Sequence, residues 1–215
     1  MKKFFYLFVA IIIASCSAEN DNEEFYESFG VVKENGDASG KFHIRSDNGK
    51  VIVPTSGLLS LDDKGRRVWL VFLTDSNIES DTIKANVYKF IRVTEMDLKN
   101  EFDEQSSDVV NLNSIWTAQN YLTLMMSVRA NSETSLENHK YTMYSDLELR
   151  NDTLQMEFKY DDNNDSYGTV FNKIVALKLD QLPSPNQNSA DSVVLAIKYR
   201  SADSDRVAYL KYKKE

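Results

Sequence analysis

The sequence predicts an all-β protein, a small OB-like β-barrel followed by an antiparallel β-sandwich. Three observations carry that prediction. The chain divides into short runs of β-branched and aromatic residues, several with alternating apolar and polar positions, and it shows no convincing helical period. Tetrads of Asn, Asp and Gly separate the runs at hairpin spacing. Six of the seven Gly lie between Gly30 and Gly65 and the seventh is Gly168, so the two halves build their turns from different residues.

The runs Tyr26 to Val32, Lys41 to Ser46, Lys50 to Pro54, Arg66 to Thr74 and Ile83 to Val93 read as five strands. The turns between them include Glu34-Asn35-Gly36-Asp37, Ser46-Asp47-Asn48-Gly49 and Asp62-Asp63-Lys64-Gly65. Five short strands in about 70 residues fit a closed or partly closed barrel, which removes the exposed edges an open sheet would leave. Residues 25–100 are assigned to this barrel, and the acidic polar interval 101–110 to a linker. Residues 111–215 then supply Ser114 to Trp116, Tyr121 to Val128, Lys140 to Ser145, Leu147 to Leu149, Leu154 to Tyr160, Val170 to Leu179, Val193 to Arg200 and Val207 to Lys213. In Leu195-Ala196-Ile197-Lys198-Tyr199 the alternation leaves one face buried and one wet, as in a sandwich strand.

The N-terminus is read as an address and not as fold. Lys2 and Lys3 precede an unbroken apolar run from Phe4 to Ile13 and the small pair Ala14-Ser15, the form of an export signal over residues 1–15. The run is about ten residues long, short of the roughly 20 that cross a bilayer as a helix. Ile13-Ala14-Ser15-Cys16 resembles a bacterial lipobox, which implies cleavage before Cys16, the only Cys of the chain, and its conversion to a lipid anchor. Several acyl chains at about 0.8 kcal/mol per buried methylene hold such an anchor essentially permanently. Residues 16–24 then form a polar, acidic tether. Its run from Glu19 to Glu24 resembles the signal that sends lipoproteins to the outer surface in Bacteroidetes. The expected location is the outer membrane, with surface display as the finer expectation.

Charge narrows the partners. The chain has 25 Lys plus Arg against 33 Asp plus Glu, a formal charge of -8, and loss of residues 1–15 removes Lys2 and Lys3 and no acid, leaving -10. That balance argues against nucleic acid, whose phosphates need a basic surface, and leaves the lipid as the only route to a membrane.

Taken together, the lipobox, the tether, the Gly-punctuated barrel and a second block opening with Ser114-Ile115-Trp116-Thr117-Ala118-Gln119-Asn120-Tyr121-Leu122 resemble the NigD-like lipoproteins of Bacteroidetes. Further cues are the segment Leu149 to Phe158, the Asp- and Asn-rich loop ending near Gly168, and a closing pair of alternating strands. The resemblance spans nearly the whole chain. It implies an OB-like domain followed by a β-sandwich, and it carries over a proposed bacteriocin-immunity role without catalytic residues.

Read residue by residue, the chain offers little chemistry. The two His, His43 and His139, have no partner in a recognisable nucleophile motif, and no glycine elbow surrounds a Ser. No catalytic residue and no cofactor is expected, and the protein is read as not an enzyme. Asp161, Asn163 and Asp165 place oxygen ligands at alternate positions like the start of a calcium loop, but Ser166 stands where the loop needs Gly and Asn172 where it needs Glu. They remain a weak metal candidate, and a solvated hairpin is the stronger reading. Phe42, Trp69, Phe72, Tyr88 and Phe90 offer aromatic surface for a ligand on the barrel, with core packing as the default. Asp81-Thr82-Ile83, Asp152-Thr153-Leu154 and Asp191-Ser192-Val193 resemble the O-glycosylation acceptor of exported Bacteroidetes proteins, which makes Thr82, Thr153 and Ser192 candidate acceptors. The functional expectation is a lipid-anchored envelope protein that binds a protein or glycan. The alternatives are a bacteriocin-immunity-like protective lipoprotein and, third, an unrecognised glycan hydrolase. The first expects an exposed apolar or aromatic patch on one body.

Overall fold

The computed structural model describes residues 24–35, 41–55, 59–101, 107–165, 168–183 and 192–213. The export signal, Cys16 and the tether up to residue 23 lie outside the described residues. Five strands come first: β1 (Tyr26–Glu34), β2 (Phe42–Ser46), β3 (Val51–Pro54), β4 (Arg67–Leu73) and β5 (Thr82–Arg92). They close into a barrel in the order β1-β2-β3-β5-β4, in which β3 and β5 run parallel and the other pairs antiparallel. The period of two in β4 sends Val68, Leu70 and Phe72 inward, where they meet Val32, Ile44, Ile52, Ile83 and Ala85 in one apolar core. Each fully buried side chain of this size contributes roughly 1.5–3 kcal/mol.

The remaining strands are β6 (Thr94–Glu95), β7 (Asp97–Lys99), β8 (Asn111–Ala118), β9 (Tyr121–Ala130), β10 (Lys140–Tyr144), β11 (Leu149–Arg150), β12 (Thr153–Asp161), β13 (Thr169–Lys178), β14 (Val193–Arg200) and β15 (Asp205–Tyr212). One sheet has the order β15-β14-β12-β10-β7 with β11 on β12, and the other β6-β13-β9-β8. Their inner faces share a core that includes Leu122, Leu124, Met126, Met143, Leu154, Phe158, Val175, Leu177, Leu195 and Ile197. The expected barrel and sandwich are both present, and among the described residues there is no α-helix, only 3-10 turns at Leu61–Asp63 and Thr134–Asn138.

Two details differ from the reading of the sequence. The sandwich is not purely antiparallel: β10 with β7, β12 with β14, and β13 with β6 pair in parallel. For β12 and β14 the cause is topological, because the chain crosses to the other sheet as β13 and returns, and two reversals restore direction. Sheet membership also changes earlier than composition suggests. The short strands β6 and β7, too brief to show a period, lie within the stretch 25–100, yet they pair with β13 and β10 of the sandwich. Met96 sits between them in the sandwich core, and its N–H reaches the Ala176 carbonyl at 2.8 Å.

The uneven use of Gly has a conformational explanation. In the barrel the left-handed turn positions are held by Gly49 (φ 85°) and Gly65 (φ 76°), whereas in the sandwich Gln119-Asn120, Asn151-Asp152 and Asn163-Asn164 occupy them with φ between 49° and 63°. Asn and Asp tolerate this region because their short side chains bond locally to the backbone.

Candidate functional site

The two bodies are joined around buried polar groups, among them Arg67 and Thr123. Arg67, the first residue of β4, is 0% exposed and forms a two-pronged ion pair with the Asp47 carboxylate in the β2–β3 turn. From the sandwich, Thr123 Oγ1 accepts the Arg67 Nε–H at 3.1 Å, and Trp116 donates its indole N–H to Asp47 at 2.8 Å. The β8–β9 hairpin continues the clasp: Gln119 donates to the Ser46 carbonyl at 3.1 Å, and the Tyr121 hydroxyl to the Gly65 carbonyl at 2.5 Å. Burial pushes the Tyr121 hydroxyl's pKa far above the ordinary tyrosine value. Phe29 meets Trp116 edge to face at 5.2 Å and stacks on Trp69 at 6.3 Å, while Val31, Val93, Tyr121 and Ala176 seal the junction. The segment Ser114 to Leu122 is thus a structural clasp.

The candidates singled out in the sequence are scattered. Asp161, Asn163 and Asp165 each have other partners in the structure. Asp165 accepts the Asn131 backbone N–H at 3.1 Å and contacts His139 Nε2 at 3.3 Å, and it sits below the ordinary carboxylate range, chiefly through bonding from Ser135. Asp161 lies 3.4 Å from Lys140 Nζ and instead joins Asp108 and Asp162, whose nearest carboxylate oxygens fall within 4.8 Å of one another. The Asn163 N–H is capped by Asp161 at 2.9 Å, as in a turn. Ser166 lies outside the described residues. His139 is buried, and its Nδ1 meets the Tyr160 hydroxyl at 2.7 Å. Both of its ring nitrogens are therefore committed to holding loops. His43 contacts Asn35 Oδ1 through Nδ1 at 2.6 Å, and burial, reinforced by Arg45 and Lys33, lowers its pKa. Thr82 is exposed at the head of β5, while Thr153 and Ser192 are half-buried beside the starts of β12 and β14. Of the five barrel aromatics, Phe72 is core, Phe42 and Phe90 pack against that core, and Trp69 faces the junction. Only Tyr88 is open, at 78% exposure.

Tyr88 is exposed at a bulge. The register of β4 on β5 slips between Val71, opposite Lys89, and Phe72, opposite Val87, so Tyr88 is the extra residue. Its ring meets Phe25, itself 49% exposed, edge to face at 5.4 Å. Alternation along β5 places Lys84, Asn86 and Tyr88 on one outward face. Beside them opens a pocket of about 720 Å³ at the end of the barrel, whose lining includes Lys84 and Asn86 of β5, Tyr26 of β1, and Leu73, Thr74, Asp75 and Ser76 at the end of β4. Tyr26 donates to Glu24 at 2.9 Å, a bond to the carboxylate that raises the phenol pKa. Thr74 and Ser76 bond the Lys84 backbone, its C=O at 2.6 Å and its N–H at 3.3 Å. The heads of Lys84, Asp75 and Asn86 have no bond or ion pair among the described residues, so this lining presents an ammonium, a carboxylate and an amide to solvent. Sequence reasoning found Tyr88 and missed Phe25 and the pocket, because strand pairing assembles them from three separate segments.

A second groove, of about 490 Å³, lies at one end of the sandwich, where Val109 and Val170 are about half exposed beside Asp108, Asp162 and Arg129. No helix of the described residues is long and apolar enough to cross a membrane.

Comparison with known proteins adds a family and a set of folds. Residues 93–212 match the family model described as the NigD-like C-terminal β-sandwich domain, which starts where sheet membership passes to the sandwich. No curated protein matches the sequence. A NigD-like immunity protein from Bacteroides caccae superposes with a TM-score of 0.64 at 18% identity, over 90% of this chain and 98% of that one. A candidate toxin-related protein from Parabacteroides distasonis gives 0.69 at 20% identity, over 88% and 94%. A candidate lipoprotein from Bacteroides fragilis gives 0.63 at 13% identity, over 89% and 99%. At these identities the likeness establishes a shared two-body fold.

Proposed function

Because this chain belongs to the NigD-like family through its C-terminal β-sandwich domain, we propose that it is a non-catalytic, lipid-anchored envelope protein that captures a protein or glycan. The observation that carries this reading is the exposed Phe25–Tyr88 pair beside an open pocket whose polar heads Asp75, Asn86 and Lys84 have no partner among the described residues. Large exposed aromatics at a concavity favour a binding site, where they remove apolar area from water at low entropic cost. A catalytic reading finds less support. No His lines the pocket, its Ser76 hydroxyl accepts a backbone N–H, and the buried His139 is held at both nitrogens by structural bonds.

The test is capture by the immobilised chain from culture supernatant and solubilised envelope. The expected result is saturable retention of a ligand that a Phe25→Ala/Tyr88→Ala variant loses by at least tenfold. Retention that the double variant leaves unchanged overturns the assignment to this pocket. Anchoring at Cys16 is checked by palmitate labelling in the native host, with Cys16→Ser expected to abolish the label. Protease added to intact cells then separates surface display from a periplasmic position, and intact mass of the native protein reads glycans on Thr82, Thr153 and Ser192.

The fold shared with a protein described as a NigD-like immunity protein favours a second reading, a protective lipoprotein that intercepts a toxin at the envelope. It expects a deletion strain to become sensitive to supernatants of sibling strains, and unchanged sensitivity across such a set counts against it.

A further inference from the structure

We propose that the barrel-end pocket is a saccharide site that takes a neutral or amine-bearing oligosaccharide. This rests on the reading of the chain as a capture protein and names the ligand class for the same pocket.

Three features converge. The Phe25 and Tyr88 rings, 5.4 Å apart and at 66°, offer flat apolar surface of the kind that stacks on the C–H face of a pyranose. Next to them the lining supplies the Asp75 carboxylate, Asn86 amide and Lys84 ammonium, which have no partner among the described residues and are the acceptors and donors that ring hydroxyls pair with. A stacked ring beside a few placed polar groups is the pattern of a small-molecule site, and about 720 Å³ is room for a short oligosaccharide. Thr74 to Ser76 begin the connection from β4 to β5, a loop through which OB-type barrels contact oligonucleotides and oligosaccharides.

Charge decides between those two classes. Among the described residues, Glu24 and Asp75 give the lining two carboxylates against the single ammonium of Lys84, on a chain that is already acidic. Phosphates and uronates are repelled from such a pocket, and neutral or amino sugars are not. Place in the chain agrees with this. Phe25 is nine positions from Cys16, a reach of at most roughly 30 Å. An anchor at Cys16 therefore keeps the pocket close to the membrane surface, where the sugars of envelope glycolipids lie.

The test is a glycan array of neutral, amino, uronate and sulfated oligosaccharides probed with the mature chain, followed by titration of the best-bound sugar. A parallel arm presents lipopolysaccharide vesicles, so that binding to free sugar and binding to a glycolipid headgroup are told apart. Tyr88→Ala and Asp75→Ala are solvent-facing changes that leave the fold intact, and each is expected to weaken binding at least tenfold. Tyr209→Ala, which removes a 69%-exposed tyrosine from the sandwich, is expected to change nothing. The proposal is overturned if no sugar binds in either arm, if uronate or sulfated sugars are preferred, or if the pocket variants bind like wild type. Protein capture that depends on Phe25 and Tyr88, with no sugar bound, removes the saccharide assignment and leaves the capture reading standing. Loss of both removes both.

Discussion

Replacing Asp47 by Ala tests whether the buried clasp couples the barrel to the sandwich. The substitution leaves the Arg67 guanidinium, with a side chain 0% exposed, without its counterion and, among the described residues, with Thr123 Oγ1 as its remaining hydrogen-bond acceptor. It also deprives the Trp116 indole N–H of its acceptor. Breaking a buried pair from one side costs about 3–5 kcal/mol, and an orphaned indole adds about 1 kcal/mol. Against the ~5–15 kcal/mol by which a domain is folded, that is about a quarter of the total or more. Arg67→Met is expected to cost less, because the Asp47 side chain is 23% exposed, can hydrate, and keeps Trp116 as a donor. The double variant, with no buried charge left over, should be more stable than Asp47→Ala alone. Urea unfolding reads this out through two probes: fluorescence of Trp69 and Trp116, both at the junction, and far-UV circular dichroism, which follows all strands. Wild type should give coincident transitions, and Asp47→Ala a fluorescence transition that comes first. A loss below about 1 kcal/mol in Asp47→Ala, or a larger loss in Arg67→Met than in Asp47→Ala, refutes the reasoning.

Gly168→Ala should be severely destabilising, by more than about 2 kcal/mol, because φ is 141° and the new Cβ would stand 2.2 Å from the Ala130 carbonyl oxygen; a melting temperature within a degree of wild type would contradict this. Tyr160→Phe strips His139 Nδ1 of its partner and should cost about 1–2 kcal/mol in urea unfolding, with unchanged circular dichroism. Acid should remove a contribution from Asp63. Burial raises its pKa, but bonds from Arg92 at 2.6 Å and from Ser60 outweigh burial and leave it below the ordinary carboxylate range. A folded-state pKa below the unfolded one gives stability that is complete above about pH 4 and declines as pH falls through the folded value. The gap in melting temperature between wild type and Asp63→Asn should therefore be largest near neutrality and shrink toward pH 2.5; a constant gap would show that the charge of Asp63 is not involved.

How far the sequence reveals this protein depends on the range over which each feature is encoded. Strands of five residues or more show their period within a single window, and β14, Val193 to Arg200, is read to the residue. The strands β6 and β7 hold two and three residues, too few for a period, and their place is fixed by partners β13 and β10, some 40 to 80 positions away. The same distinction governs the sites. Asn151-Asp152 is legible as a turn because its chemistry is local, while Gln119-Asn120, the tip of the clasp, lies inside a segment whose significance is its fit to Asp47, Ser46 and Gly65. Arg67 reads as an ordinary charged residue at a strand start, and nothing beside it in sequence announces its burial. The aromatic residues show the limit from the other side: alternation separates Trp69 from Phe72, yet whether an outward ring meets solvent or another body is decided by Phe29 and Trp116. Tyr88 escapes both fates: alternation along β5 turns it outward with Lys84 and Asn86, and among the described residues no second body covers that face, although the one-residue slip at Tyr88 is something composition does not record. The clasp and the pocket thus lie at opposite ends of the barrel. Substitutions at Asp47 should leave ligand capture intact at temperatures where the barrel stays folded, and substitutions at Tyr88 should leave unfolding unchanged. A variant at either end that moved both would mean that the barrel transmits strain along β4, from Arg67 to Leu73, and would make the two ends one device.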